Sequence, residues 1–218
     1  MKKKKLLYST LLLLIFSGNN FVVAKDVTVS TGTELQSIIQ KTTEPTRIQF
    51  ADNIDITGLI TIKIGSEAIE IDGNGKSLIN EKDARFIFSN NSNLTLKNMK
   101  YTGKNSSINV DKANTTILLE NIDISGRTTS AYPNGSVLFL IEDSDATLNN
   151  VSVSSSSVNT TNNFSGGTIY IQTAKSKGVI TDLIENEMTS AGKIYGGLIY
   201  NRRTLTPIGE LNLKIQET

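Results

Sequence analysis

Acidic side chains are the residues of this chain best suited to chemistry. Asp111, Asp123, Glu142, Asp143 and Asp145 lie in its middle third, and Glu142-Asp143-Ser144-Asp145 is the densest cluster. Paired carboxylates hydrolyse glycosidic bonds, one as acid and one as base or nucleophile. Several carboxylates beside a Lys or Arg can instead hold Ca²⁺ while the cation-forming side chain takes the proton α to a uronate. Arg127, Arg202 and Arg203 are the candidate bases. Composition excludes much else. The chain has no Cys, so it has no disulfide framework, thiol nucleophile or Cys-ligated metal. It has no His, so it has no imidazole base and no His-ligated metal.

The acids do not form a recurrent constellation. Glu142 to Asp145 read as a solvated corner between strands. Asp123 lies between Ile122 and Ile124, which read as inward-facing, so its own side chain is expected to point outward. No two clusters recur at one position of a repeat with a basic partner. The chain is therefore read as non-catalytic, without metal or cofactor; a polysaccharide lyase or hydrolase is the alternative. Gly73-Asn74-Gly75-Lys76-Ser77 lacks the longer glycine spacing and following helix of a phosphate loop. Arg202-Arg203 is a lone basic pair, and the net charge is +1. Nucleic acid is not an expected partner.

The elements that must carry these residues begin with an address. Residues 1–24 read as a secretory signal, with Lys2 to Lys5 as the basic region, Leu6 to Phe16 as the apolar region and Val22-Val23-Ala24 as the cleavage site. The apolar run is shorter than the ~20 residues of a membrane span. Removing the four lysines leaves the chain near −3. Export without Cys points to a bacterium, and to the cell surface, the outer membrane or the medium as the destination.

Residues 25–45 are expected to form an N-terminal cap. Lys25 to Ser30 read as a strand. Thr31-Gly-Thr-Glu34 fits a capping box, and Leu35, Ile38 and Ile39 follow on one helical stripe that ends before Pro45. From residue 46 to 218 the apolar period is two, in short runs rich in Ile, Val and Thr.

The later runs repeat. Units start at Phe86, Ile108, Val137, Ile169 and Leu198. Their second strands align as Leu94-Thr-Leu96-Lys-Asn98, Ile117-Leu-Leu119-Glu-Asn121 and Ala146-Thr-Leu148-Asn-Asn150, and Asp182 takes the Asn place in the fourth. A leucine-rich repeat would place its Asn one residue later and would need a helix in each unit. A β-sandwich would not explain the Asn column. The spacing predicts an all-β parallel β-helix, a solenoid with a short N-terminal capping helix. One coil cannot bury its own inward side chains, but stacked coils can. The inward positions are expected to hold Leu94, Leu96, Ile117, Leu119, Ile122, Ile124, Phe139, Leu148, Val151, Val153 and Ile171. Asn98, Asn121 and Asn150 are expected to form a structural ladder, because Asn tolerates left-handed backbone and its amide can stack. Unit length varies, so the segments Arg127–Gly135, Ser154–Gly166 and Thr189–Gly196 are expected to loop out. Tyr132 and Phe164 are the aromatic residues in these loops placed to contact a ligand.

Ile69-Glu-Ile71-Asp72-Gly73-Asn74-Gly75-Lys76-Ser77-Leu78-Ile79 resembles a segment recurrent in right-handed parallel β-helix (pectate-lyase-like) proteins. Gly166-Gly167-Thr-Ile-Tyr and Gly196-Gly197-Leu-Ile-Tyr resemble the Gly-Gly-Ala-Ile repeats of polymorphic outer-membrane proteins and autotransporter passengers; Phe88-Ser-Asn-Asn91 is similar to their partner motif. The resemblance covers roughly residues 26–218. It implies a right-handed coil and an exported, adhesin-like surface protein whose partner is a host or matrix glycan or protein. The glycosidase relatives carry a Gly-His-Gly motif that this chain cannot supply. No alternating series long enough for a membrane barrel follows Leu198. The expectation is the N-terminal part of a longer passenger, a truncated product, or a chain whose end a partner covers. An open last coil is expected to self-associate.

Overall fold

The computed structural model describes residues 24–56, 61–82, 84–104, 106–129, 138–140 and 144–154, and beyond these the strands at 156–158, 164–165, 169–171, 177–185, 188–190, 194–195, 199–201 and 211–214. The expected signal segment, apart from its last residue, lies outside them, as do Tyr132, Glu142, Asp143, Arg202 and Arg203. Short alternating runs have become strands, and each strand hydrogen-bonds to its counterpart in the next coil. Every strand pair among the described residues is parallel. The molecule is an all-β parallel β-helix, with one helix among the described residues.

One long sheet runs the length of the stack. Its main path, in spatial and chain order, is Lys25–Val29, Thr46–Phe50, Ala68–Asp72, Asn93–Thr102, Thr115–Ser125, Ser144–Ser154, Lys177–Glu185 and Leu211–Lys214; Ile54–Asp55 and Ser77–Ile79 join it beside Asn93–Thr102. A second sheet stacks Ile108–Val110, Leu138–Leu140, Ile169–Ile171 and Ile199–Asn201. The first strand pairs with Thr46–Phe50, so the expected cap and the coils share one sheet. The helix, Gly32–Lys41, starts at the expected capping box: the Glu34 amide donates to Thr31 Oγ1 at 3.2 Å and the Thr31 amide to Glu34 Oε2 at 3.2 Å. It buries Leu35 and Ile39 and packs on the Thr61–Ile64 strand. Those apolar side chains shield one end of the interior.

The long strands carry a phase shift that explains their sequence. In a continuous strand, inward residues are two apart. Here Leu96 and Met99 are both buried and three apart, as are Leu119 and Ile122, and Leu148 and Val151. Between each pair stands Asn98, Asn121 or Asn150, with φ of 53°, 52° and 53°. One left-handed residue turns the strand around a corner and restores the inward alternation beyond it. Asn visits this region at least cost among residues with a side chain.

Nine of the eleven residues expected inward are buried. For Ile171 and Phe139 only the strand register is described: Ile171 pairs with Leu140, which pairs with the buried Val110, whereas Phe139 falls out of phase with the expectation. The second-sheet register pairs Leu138, not Phe139, with Ile108 and Ile169. Leu138 is fully buried, and Phe139 takes the register position of the exposed Asn109. The repeat reading began that unit one residue early, and a one-residue slip exchanges the two faces of a strand.

The extra residues of the longer units do not simply loop out. Thr128–Thr129, Ser156–Val158 and Met188–Ser190 pair as a third parallel sheet, and Phe164–Ser165 pairs with Ile194–Tyr195. Phe164 is thus a strand residue. These segments lack the apolar alternation that marks a strand, but stacking satisfies backbone amides and carbonyls whatever the side chains.

Candidate functional site

The outward side of the long sheet is organised as columns, one residue per coil, and three of them are joined from coil to coil. The best ordered runs up the corner. Asn121 Nδ2 donates to Asn98 Oδ1 at 3.1 Å, and Asn150 Nδ2 donates to Asn121 Oδ1 at 2.8 Å. Asn98 Nδ2 donates in turn to Asp72 Oδ1 at 3.2 Å. Asp72 Oδ1 also accepts the Asn74 amide at 2.9 Å. All the amides therefore donate in one direction, and a carboxylate, which only accepts, closes the lower end.

The Asp72-Gly73-Asn74-Gly75 segment builds that lower corner. Asn74 and Gly75 both have positive φ, 51° and 74°, and the Lys76 amide donates to the Gly73 carbonyl at 2.8 Å. This is the two-residue left-handed turn that Asn-Gly favours. Gly73 meets the next coil so closely that a Cβ would overlap Met99 Cβ and lie 2.8 Å from the Asn98 carbonyl oxygen. The segment runs straight into the Ser77–Ile79 strand.

A second Asn pair escaped the sequence reading. Asn114 Nδ2 donates to Asn91 Oδ1 at 3.2 Å, and both residues have positive φ, 54° and 62°. The signal was present: Asn91 and Asn114 each precede a ladder Asn by seven residues. A charged column was also missed. Glu70 Oε1 accepts Arg47 Nε at 2.7 Å and Lys97 Nζ at 2.6 Å, and Lys97 Nζ lies 3.8 Å from Asp72 Oδ2.

The three candidate acids among the described residues, Asp111, Asp123 and Asp145, do not converge. Asp123 is exposed, as expected, and its Oδ1 is hydrogen-bonded by Ser152 Oγ of the next coil. Lys100 stands in register on its other side. Asp145 is the second residue of a strand, in register with Thr116, so it belongs to a different column across the Asn corner. Asp111 is exposed and pairs with Lys112 at 3.4 Å. Among the described residues no group of three acids is placed to hold a metal ion.

Arg127 departs furthest from expectation. It is not a surface base but is 7% exposed, and its Nε has no hydrogen-bond partner. It belongs to a polar island inside the stack. Asn80 Nδ2 donates to the Ala84 carbonyl at 2.9 Å and to Tyr101 Oη at 3.3 Å; Tyr101 Oη donates to the Ser107 carbonyl at 3.3 Å. The Tyr101 ring meets Phe86 edge-on at 6.2 Å. Burial pushes the Tyr101 phenol up to about 12, against the lowering effects of Asn80 and Arg127. Burial pulls the Arg127 guanidinium down to about 10, opposed by Tyr101. A group that titrates there keeps its proton at neutral pH, so Arg127 is no base for a polymer outside.

These arrangements brace coil against coil. Among the described residues no helix is long and apolar enough to cross a membrane. The chain matches no protein-family model, no curated protein and no solved structure.

Proposed function

We propose that this chain is an exported, non-catalytic surface protein, adhesin-like and similar to the passenger of an autotransporter. Its β-helix is a stiff rod that displays polar faces to a host or matrix glycan or protein. Eight strands of the long sheet at ~4.8 Å give a rod of ~34 Å. The observation that carries this reading is how the outward functional groups are used. Asp72, Glu70 and Asp123, which could have done chemistry, are each held by a neighbour one coil away. Such groups stiffen a scaffold and leave its corners free to vary.

The test follows the full chain in a bacterial host. Mass spectrometry of the product is expected to find Lys25 as its first residue, and externally added protease is expected to degrade it on intact cells. Retention of residues 1–24, or full protection in intact cells, overturns the proposal. Incubation with pectin or alginate and Ca²⁺ is expected to leave ultraviolet absorbance unchanged; a steady rise from unsaturated products would make the chain a lyase.

A further inference from the structure

Among the described residues Arg127 is the only charged side chain in the buried interior. The neighbouring coil treats the same place differently. Thr102 and Ser125 are in register, Gly103 and Gly126 follow them, and a Cβ on Gly126 would lie 3.5 Å from the Gly103 nitrogen. The next residues are Lys104 and Arg127. Lys104 is exposed, whereas Arg127 is drawn inside. A buried charge is ordinarily matched by an opposite charge. Even the more exposed cations Lys25, Arg47, Lys97 and Lys112 meet carboxylates, at 3.9, 2.7, 2.6 and 3.4 Å. Among the described residues no acid meets Arg127, and its Nε donates to nothing. The polar groups near this corner are committed and uncharged. The Tyr101 phenol keeps its proton and donates it to the Ser107 carbonyl, and Ser106 Oγ donates to the Ser125 carbonyl at 3.4 Å. The guanidinium stays charged at neutral pH, because burial brings it down only to about 10.

We propose that Arg127 is the binding site of a small monovalent anion, a halide or a planar oxyanion of the size of nitrate or formate. The inference goes beyond the display reading and does not rest on it. A guanidinium offers N–H donors in one fixed plane and no acceptor, so its partner must accept. It carries a single charge, which one monovalent anion neutralises. A dianion would leave a net charge in the interior and bring a larger desolvation cost. Nε is the guanidinium nitrogen sealed from solvent without a partner, so the anion meets the fork at its Nη end. A residue 7% exposed is out of reach of an anionic polymer or a partner's carboxylate side chain. An anion held only by the folded stack stabilises it by mass action. The stability of the rod then depends on the anion in the surrounding medium.

The experiment follows thermal unfolding of the purified full chain at one ionic strength, with sodium gluconate replaced stepwise by chloride, bromide, nitrate or formate. Gluconate is too large for the site and serves as the reference. At least one small anion is expected to raise the melting temperature along a saturating curve, by ~5 °C at full replacement. Arg127→Met is expected to lose that saturating rise. Sulfate, which acts by exclusion from the surface, is expected to raise both chains alike. No rise in the wild-type chain with any small anion, or the same rise in Arg127→Met, overturns the proposal. If Arg127→Met does not fold, crystals of the wild-type chain grown in bromide decide the matter. An anomalous scattering peak beside the Arg127 Nη atoms is expected. No peak there, or a carboxylate of the chain itself seated on the guanidinium, overturns the proposal. Failure here leaves the surface-display reading standing, because that reading is decided by export and protease access.

Discussion

Asn150 Nδ2 donates to Asn121 Oδ1 at 2.8 Å across two coils, although the residues are 29 apart in the chain. Asn121 is thus both donor and acceptor in the ladder, and it holds a left-handed backbone as well. Asn121→Ala removes two rungs and places an ordinary side chain at φ 52°. The backbone term alone costs ~1–2 kcal/mol, and each lost hydrogen bond ~0.5–1.5 kcal/mol. Asn121→Gly loses the rungs but not the backbone fit. In urea unfolding, Ala is expected to be the more destabilised of the two; equal losses would show that the left-handed corner contributes nothing.

The ladder also predicts a stabilising substitution. The register sets Thr181 opposite Asn149 and Leu183 opposite Val151, which leaves Asp182 opposite Asn150. The amides below all donate downward, so the next residue up should be a donor. A carboxylate is not one, and an amide is. Asp182→Asn is expected to add ~1 kcal/mol, raising the melting temperature by ~2–4 °C. A lower or unchanged melting temperature in calorimetry would mean that the ladder stops at Asn150.

Gly73 and Gly65 make a matched pair of tests. A Cβ on Gly73 collides with Met99 and with the Asn98 backbone, whereas a Cβ on Gly65 meets nothing within 4 Å. Gly73→Ala is expected to cost ~1–3 kcal/mol or more. Gly65→Ala should change stability by less than ~0.5 kcal/mol. Similar stabilities for the two variants in chemical denaturation would contradict the close approach of the coils at Gly73.

The buried Tyr101 and Arg127 predict an alkaline compensation. The Tyr101 phenol titrates near 12 in the folded chain against 10 unfolded. Between those values the folded state holds the extra proton, so stability falls as pH rises, by ~1.4 kcal/mol per unit. Burial holds Arg127 near 10 in the folded chain, well below its ordinary guanidinium value in the unfolded one. There the unfolded state holds the extra proton, and stability rises with pH. The slopes oppose each other between pH 10 and 12. The wild-type chain is expected to show a shallow dependence, Arg127→Met a fall and Tyr101→Phe a rise. Parallel profiles for the two variants in urea titrations would refute the pairing.

Much of the stack is legible in the amino-acid sequence. The capping box at Thr31 and Glu34 depends on residues three apart, and the helix begins there. Leu94, Leu96, Ile117 and Leu119 announce their burial by alternation. The column of Asn98, Asn121 and Asn150 could be read because one physical need, a left-handed corner, recurs at one place in each coil. The candidate acids were harder: the sequence reading already placed Asp123 outward, but only the fold showed Ser152 standing on its other side.

Local pattern could not set coil-to-coil register. Phe139 lies in Val-Leu-Phe-Leu-Ile, an unbroken apolar run in which period two has no visible phase, so either parity was open. The pairing of Leu138 with Ile108 and Ile169 chose it. The strands within Ser154–Gly166 left no apolar trace because their support comes from backbone bonds to neighbouring coils. Arg127 read as a surface base because charge is ordinarily solvated; only the packing around Tyr101 drew it inside. What short-range chemistry dictates, the helix, the corners and the inward alternation, was present in the chain itself. What depends on which residue faces which across 20 to 30 intervening positions had to wait for the fold, because one shift in pairing turns every side chain of a strand to the opposite face.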